Sequence, residues 1–393
     1  QITASVNSEE EQTAFGVLIG KTESNSSIEI TLGNSISTNL TVVNGKNVGG
    51  IIGWYNGGTV NIDRPNGVAY NVNVTGITNV GGAVGLVTSD VNEMVDIYNT
   101  EHNYWNFLNS NSSYATLSTP NNATTLENWG GLFGKVETDD LYLYTTQSEN
   151  EQNGPRNIQE IVNYNTININ GAETFADSGN IKIVNVGGVV GLFEGQTAIK
   201  LTNNGDITHD MSNSRIYGYN NYDSSTDMYA YSNGGEQKIG FKAINVGGVI
   251  GNVGENVSYM FALRNNADIT GYQNVGGLIG YMSTGLLHSD IPETITVDTD
   301  SISLVYNFGD DNIYTPLVEQ ISNYKFTEHQ VEEGDEIVNY YELTNSNDVN
   351  NNYFTLNDYA VSVSRTAQIT GVINVGGAVG LVTGGTIDSI WTK

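Results

Sequence analysis

The chain has 393 residues and 42.4 kDa, room for a sizeable core or several domains, and its 38% hydrophobic content lies below the globular norm of about 45–50%. Lys+Arg 14 against Asp+Glu 43 gives a net charge of −29, which argues against nucleic acid and anionic membranes as partners because there is no basic patch to release counterions from phosphate. Cysteine is absent, so disulfides, thiolate zinc sites and cysteine nucleophiles are excluded.

No apolar stretch approaches the roughly 20 residues needed to span a bilayer. The first residue is Gln1 rather than Met, which is expected of a mature, exported protein whose signal peptide has been removed. Sequons at Asn25, Asn39, Asn73, Asn111, Asn122 and Asn256 permit glycosylation in an extracellular or cell-surface setting. The 23 Tyr, the many Val and Ile and the 5 Pro argue for an ordered chain.

Taken in chain order, a degenerate glycine-rich phrase at Ala14–Gly20 opens a series. Copies of Asn-Val-Gly-Gly, two apolar residues and Gly follow at Asn47–Gly53, Asn79–Gly85, Asn185–Gly191, Asn245–Gly251, Asn274–Gly280 and Asn374–Gly380, with a Trp variant at Asn128–Gly134. Their glycines, among them Gly49, Gly50 and Gly53, Gly81, Gly82 and Gly85, Gly187, Gly188 and Gly191, Gly276, Gly277 and Gly280, and Gly376, Gly377 and Gly380, are read as structural repeat positions. Eight copies over the whole length mean architecture, since one ligand loop does not need to be built eight times. The final glycines are separated by 33, 32, 49, 57, 60, 29 and 100 residues, a unit near 30 with insertions.

Between the copies lie short segments that alternate apolar and polar residues, such as Thr59–Ile62, Val72–Gly76, Thr166–Gly171 and Asp268–Gly271. That is the period of a half-buried strand, and no stretch keeps a helical period. All five prolines and every charge lie outside the heptads, as a ladder-paired spine requires. If each heptad is a single strand, its second and sixth residues share parity and point inward, the fourth-position Gly lets a neighbouring layer approach, and the variable fifth residue sits in a less defined environment. For the leading Asn two roles are open: stacking on its counterparts in an amide ladder, or favouring the preceding turn.

These observations predict an all-β chain, a parallel β-solenoid of about eight glycine-rich coils. Residues 1–285 form the repeat solenoid with insertions at 91–127 and 211–240, residues 286–365 a β-rich insertion, and residues 366–393 the final coil. The units resemble the GLUG-type glycine-rich repeat of bacterial surface and secreted proteins, through Gly131-Leu132-Phe133-Gly134 and Gly277-Leu278-Ile279-Gly280. The resemblance covers about two-thirds of the chain and implies a cell-surface, adhesin-like β-solenoid protein, with no catalytic residues to transfer.

The Gly-Gly-x-x-Gly spacing is not a dinucleotide fingerprint, and no helix pattern follows it to receive a phosphate. His102, His209, His288 and His329 are far apart and lack metal-ligand spacing. Calcium is the cofactor the acidic turns suit, through Asp298 and Asp300 and through Asp310 and Asp311; the alternative is a solvated acidic loop. Tyr217, Tyr219, Tyr222, Tyr229 and Tyr231 could contact glycans or a neighbouring subunit, or pack on their own spine. The expectation is therefore a non-enzymatic structural protein that polymerises with itself into an extracellular filament, sheath or surface layer. The alternatives are an adhesin binding glycans through its insertions and, with less support, a polysaccharide-degrading enzyme.

Overall fold

The computed structural model describes residues 2–5, 13–43, 45–63, 68–91, 114–119, 125–146, 156–169, 182–209, 242–288, 362–363, 366–388 and 391–392, together with the strands inside the insertions. Among the described residues the chain is all-β and contains no helix, and so none long and apolar enough to cross a membrane.

Three eight-stranded sheets run the length of the molecule, each with its strands in chain order. The first contains Ile2–Ser5, Ile36–Val43, Tyr70–Thr75, Tyr114–Ser118, Thr166–Ile169, Ile207–His209, Ile269–Thr270 and Ile369–Thr370. The second runs from Phe15–Gly16 through Lys46–Gly49 and Thr78–Gly81 to Ile373–Gly376, and the third from Ile19–Lys21 through Ile52–Tyr55 and Val84–Val87 to Val379–Val382. Strands that pair in chain order and in parallel require the chain to complete a circuit between neighbours, so the fold is a parallel β-solenoid of eight coils. Neighbouring coils stand about 4.8 Å apart, the ladder spacing.

In the shortest circuit the chain passes from Lys242–Gly247 to Ile250–Val253, Tyr259–Phe261, Arg264–Asn265 and Ile269–Thr270, and then to Gln273–Gly276. The two middle segments belong to a fourth and a fifth sheet of five strands each. Inward columns fill the interior: Val48, Val80, Trp129, Val186, Val246 and Val275 lie in register and are fully buried, as are Ile167, Ile207 and Ile269.

The insertions are narrower than the sequence suggested. Tyr114–Ser118 lies within 91–127 and Thr125–Gly130 begins there, and both are spine strands. Leu286–His288 and Ser362–Val363 likewise belong to the fourth and fifth sheets, which leaves 289–361 as the excursion between them. Its described strands form a three-stranded antiparallel meander, Thr294–Asp298, Ser303–Phe308 and Asp311–Pro316, and a hairpin, Tyr324–Glu333 with Glu336–Asn345. A further antiparallel hairpin, Leu143–Thr146 with Arg156–Gln159, leaves the spine at the same corner in an earlier coil.

Candidate functional site

The heptad is not one strand, as parity had suggested, but a corner. Its first three residues close the second sheet, its fourth and fifth turn, and its last two open the third sheet. The fifth position, expected to be poorly defined, is fully enclosed: Ile51, Ala83, Leu132, Val189, Val249 and Leu278 are all buried. The corner turns the chain so sharply that residues five and six both face the interior, which a straight strand cannot do.

Each heptad glycine answers to a different neighbour. A Cβ on the third-position Gly would lie 1.7–2.0 Å from the carbonyl oxygen of the sixth residue in the same coil, as at Gly49, Gly130, Gly187 and Gly276. At Gly50, Gly82, Gly131, Gly188 and Gly248 it would lie 2.0–2.1 Å from the fourth-position carbonyl oxygen of the next coil. At Gly53, Gly85, Gly134, Gly191, Gly251, Gly280 and Gly380 it would come within 2.3–2.6 Å of the backbone of the coil before. No side chain fits at any of these contacts, so the second and third sheets meet backbone to backbone across the corner.

The leading Asn fulfils both roles the sequence left open. Asn47, Asn79, Asn128, Asn185, Asn245, Asn274 and Asn374 all have φ between 52° and 62°, the left-handed region that Asn tolerates better than most residues. Their side chains also form a continuous amide ladder. Each Nδ2 donates to Oδ1 of the Asn in the preceding coil, at 2.7 Å from Asn79 to Asn47 and 2.8 Å from Asn374 to Asn274, and Asn47 donates to Thr13 O at 2.9 Å.

Sequence reasoning missed a second ladder on the fifth sheet. Asn163 donates to Asn203 at 2.8 Å and Asn203 to Asn265 at 2.9 Å, in the opposite direction along the axis. Each of these fully buried residues also bonds the backbone two positions on, at Asn165, Gly205 and Ala267. The signal was available: Asn163, Asn203 and Asn265 each stand four residues before the buried Ile167, Ile207 or Ile269.

Charge is distributed along the outside. Lys21 Nζ lies 3.9 Å from the Trp54 ring centroid in the next coil and 2.8 Å from Glu23. The bond to Lys21, with one from Asn56, holds the Glu23 carboxyl below its usual range. Burial works against the charge on Lys135, but bonds to Glu137 at 2.6 Å and Glu194 at 2.8 Å outweigh it and raise the pKa. Burial, and then the negative charge of Asp90, hold the Asp140 carboxyl above its usual range, against hydrogen bonds with Thr197 and Tyr142. Burial likewise pushes up the Tyr70 hydroxyl, which donates to Gly50 O at 2.6 Å across the interior.

The residues nominated from sequence are dispersed. Asp298 ends one strand of the meander opposite Ser303, whereas Asp311 begins another opposite Phe308. These are the two ends of a six-residue strand, about 17 Å apart, so Asp298 and Asp311 belong to separate turns. Asp300 and Asp310 lie outside the described residues, as do Tyr217 and Tyr219. Among the described residues no group of three or more His, Asp or Glu is placed to hold a metal ion. Tyr222 pairs with Tyr229, and Tyr231 with Lys238, on two short antiparallel ladders between a first-sheet strand and a second-sheet strand. Of the sequons, Asn25, Asn39, Asn73 and Asn256 are exposed, with Asn39 and Asn73 in register on adjacent coils; Asn111 and Asn122 lie outside the described residues.

What the structure does bring together is the surface of the last coil. Val375 is 47% exposed although Val275, its partner in the coil before, is 0% exposed. Val372, Ile373, Val382 and Ile387 are exposed beside it. Comparison with family models, with curated proteins and with solved structures gave no match, so no family is assigned.

Proposed function

We propose that the protein is an exported, non-catalytic structural subunit that self-assembles into an extracellular filament, sheath or surface layer. The observation that carries this reading is the solenoid itself: eight coils stack through backbone ladders, a glycine corner and an amide ladder that repeat from coil to coil. Parallel ladders of this kind extend by adding strands at a sheet edge, so the same contacts can join one copy to another. The acidic, cysteine-free composition suits a spine held by backbone ladders outside the cell. The GLUG-type resemblance supports a surface setting.

Electron microscopy of the purified protein, with and without calcium, tests the proposal. Ordered filaments, tubes or sheets are the expected result. Calcium dependence would direct attention to the acidic turns at Asp298 and Asp311. Single particles in both conditions would overturn the assembly reading. The insertions would then become candidates for glycan binding, to be examined on a glycan array.

A further inference from the structure

The outer face of the first sheet carries two columns of short polar side chains. In one, Thr41, Thr75, Ser118, Asn168, Thr208 and Thr270 follow one another coil by coil. The other lies two residues earlier and reads Asn39, Asn73, Thr116, Thr166, Asp206 and Asp268. Each of these stands immediately before a buried residue of the ladder, from Leu40 and Val74 to Ile207 and Ile269, which fixes its register. All twelve side chains are at least partly exposed, and none is Lys, Arg or Glu. Covering the face therefore immobilises few long side chains, and the threonines are already stiff.

The second column is complementary to itself when reversed: two amides, two hydroxyls, two carboxylates. Asp206 and Asp268 stand on neighbouring coils about 4.8 Å apart, where like charges destabilise a sheet. Each gives one oxygen to the next coil, Asp206 Oδ1 accepting from Asp268 N at 3.0 Å and Asp268 Oδ1 from Gln368 N at 2.8 Å. Neither forms an ion pair among the described residues. The exposed amides of Asn39 and Asn73 have no hydrogen-bond partner among the described residues.

Resting on the assembly reading above, we infer that this face is an isologous interface between two copies of the chain whose solenoid axes run antiparallel. A twofold axis along the strand direction, passing between Thr116 and Thr166, sets Asn73 of each copy opposite Asp206 of the other and Asn39 opposite Asp268. The amides donate to the carboxylates, and the threonines meet at the centre. Parallel axes would instead set Asp206 opposite Thr208, whose hydroxyl already donates to Asn168 at 2.7 Å. The polar groups thus select the antiparallel pairing. Six coils by two columns give a footprint of roughly 30 Å by 15 Å. That is about 450 Å² per copy, the size of a weak contact, which gains strength where many copies associate.

The test is an exchange of the two groups, read by sedimentation equilibrium of the full chain. Wild-type protein should form dimers as its concentration rises. Asn73→Asp opposes carboxylate to carboxylate twice in each dimer and should raise the dissociation constant about tenfold or more. Adding Asp206→Asn to that variant again places Asn opposite Asp, and should return the constant to near the wild-type value. An unchanged constant in Asn73→Asp, or no recovery in the double variant, would overturn this face and leave assembly standing. Wild-type protein that stays monomeric at its highest soluble concentration would overturn both. Both amides lie in sequons, so a glycan found on Asn39 or Asn73 by mass spectrometry of the natural protein would cover the face and overturn the interface alone.

Discussion

At the residue scale the heptad Asn combines two demands that no other side chain meets together. Removing one mid-ladder amide strands an acceptor on one neighbour and a donor on the other. Asn185 donates to Asn128 at 2.8 Å and accepts from Asn245 at 2.9 Å. Asn185→Ala also forces a Cβ-bearing residue without a polar side chain to hold φ near 62°. Together these effects should cost about 2–4 kcal/mol in denaturant unfolding. Asn185→Gly removes the amide but relieves the backbone, so it should cost measurably less, and equal losses would show that the conformational share is negligible. Asp140 predicts a pH effect of known sign. Its proton is held more tightly in the folded protein than in the unfolded chain, so ionisation costs stability above the folded pKa. Asp140→Asn should therefore stabilise the protein at neutral pH, and the gain should fade as pH drops through the carboxylate range; a gain that persists in acid would rule out this cause.

At the element scale the coils show how much of the chain the spine needs. Thr270 reaches Gln273 through Gly271 and Tyr272, whereas the equivalent passage from Thr208 to Ile244 carries the Tyr-rich insertion. The hydrogen bond from Tyr272 N to Ala243 O, at 2.9 Å, aligns the two routes. Deleting residues 210–242 with His209→Gly copies the short passage, so far-UV circular dichroism should remain that of a β protein and stability should change by no more than about 0.5–1 kcal/mol. Collapse of the unfolding transition would show that the insertion is part of the spine. The same comparison explains the spacing of the repeats: excursions occur only where one strand hands over to the next, because inside a strand they would break ladders on both sides.

At the scale of the whole molecule, net charge opposes the proposed assembly. Copies of a −29 chain repel one another at long range. Raising ionic strength from about 10 mM to about 150 mM shortens the screening length from about 30 Å to about 8 Å. Light scattering should then show assembly at lower protein concentration, and more so as pH falls toward the pI near 4.1. Assembly that weakens with salt would mean that ion pairs, not apolar and backbone contacts, hold the copies together.

The sequence by itself determined the number of coils, the β class and the presence of a repeating backbone constraint. These follow from glycine and from alternation, which act locally along the chain. It also narrowed the leading Asn to two roles, since amide stacking and left-handed backbone both belong to that residue type. Only the tertiary structure decided that the heptad is a corner, because the clash that forbids a side chain at Gly187 comes from Val190 O folded back upon it, and at Gly188 from Gly248 O a full coil away. The fifth-sheet ladder was likewise hidden, since Asn163, Asn203 and Asn265 are 40 and 62 residues apart and meet only when the circuits close.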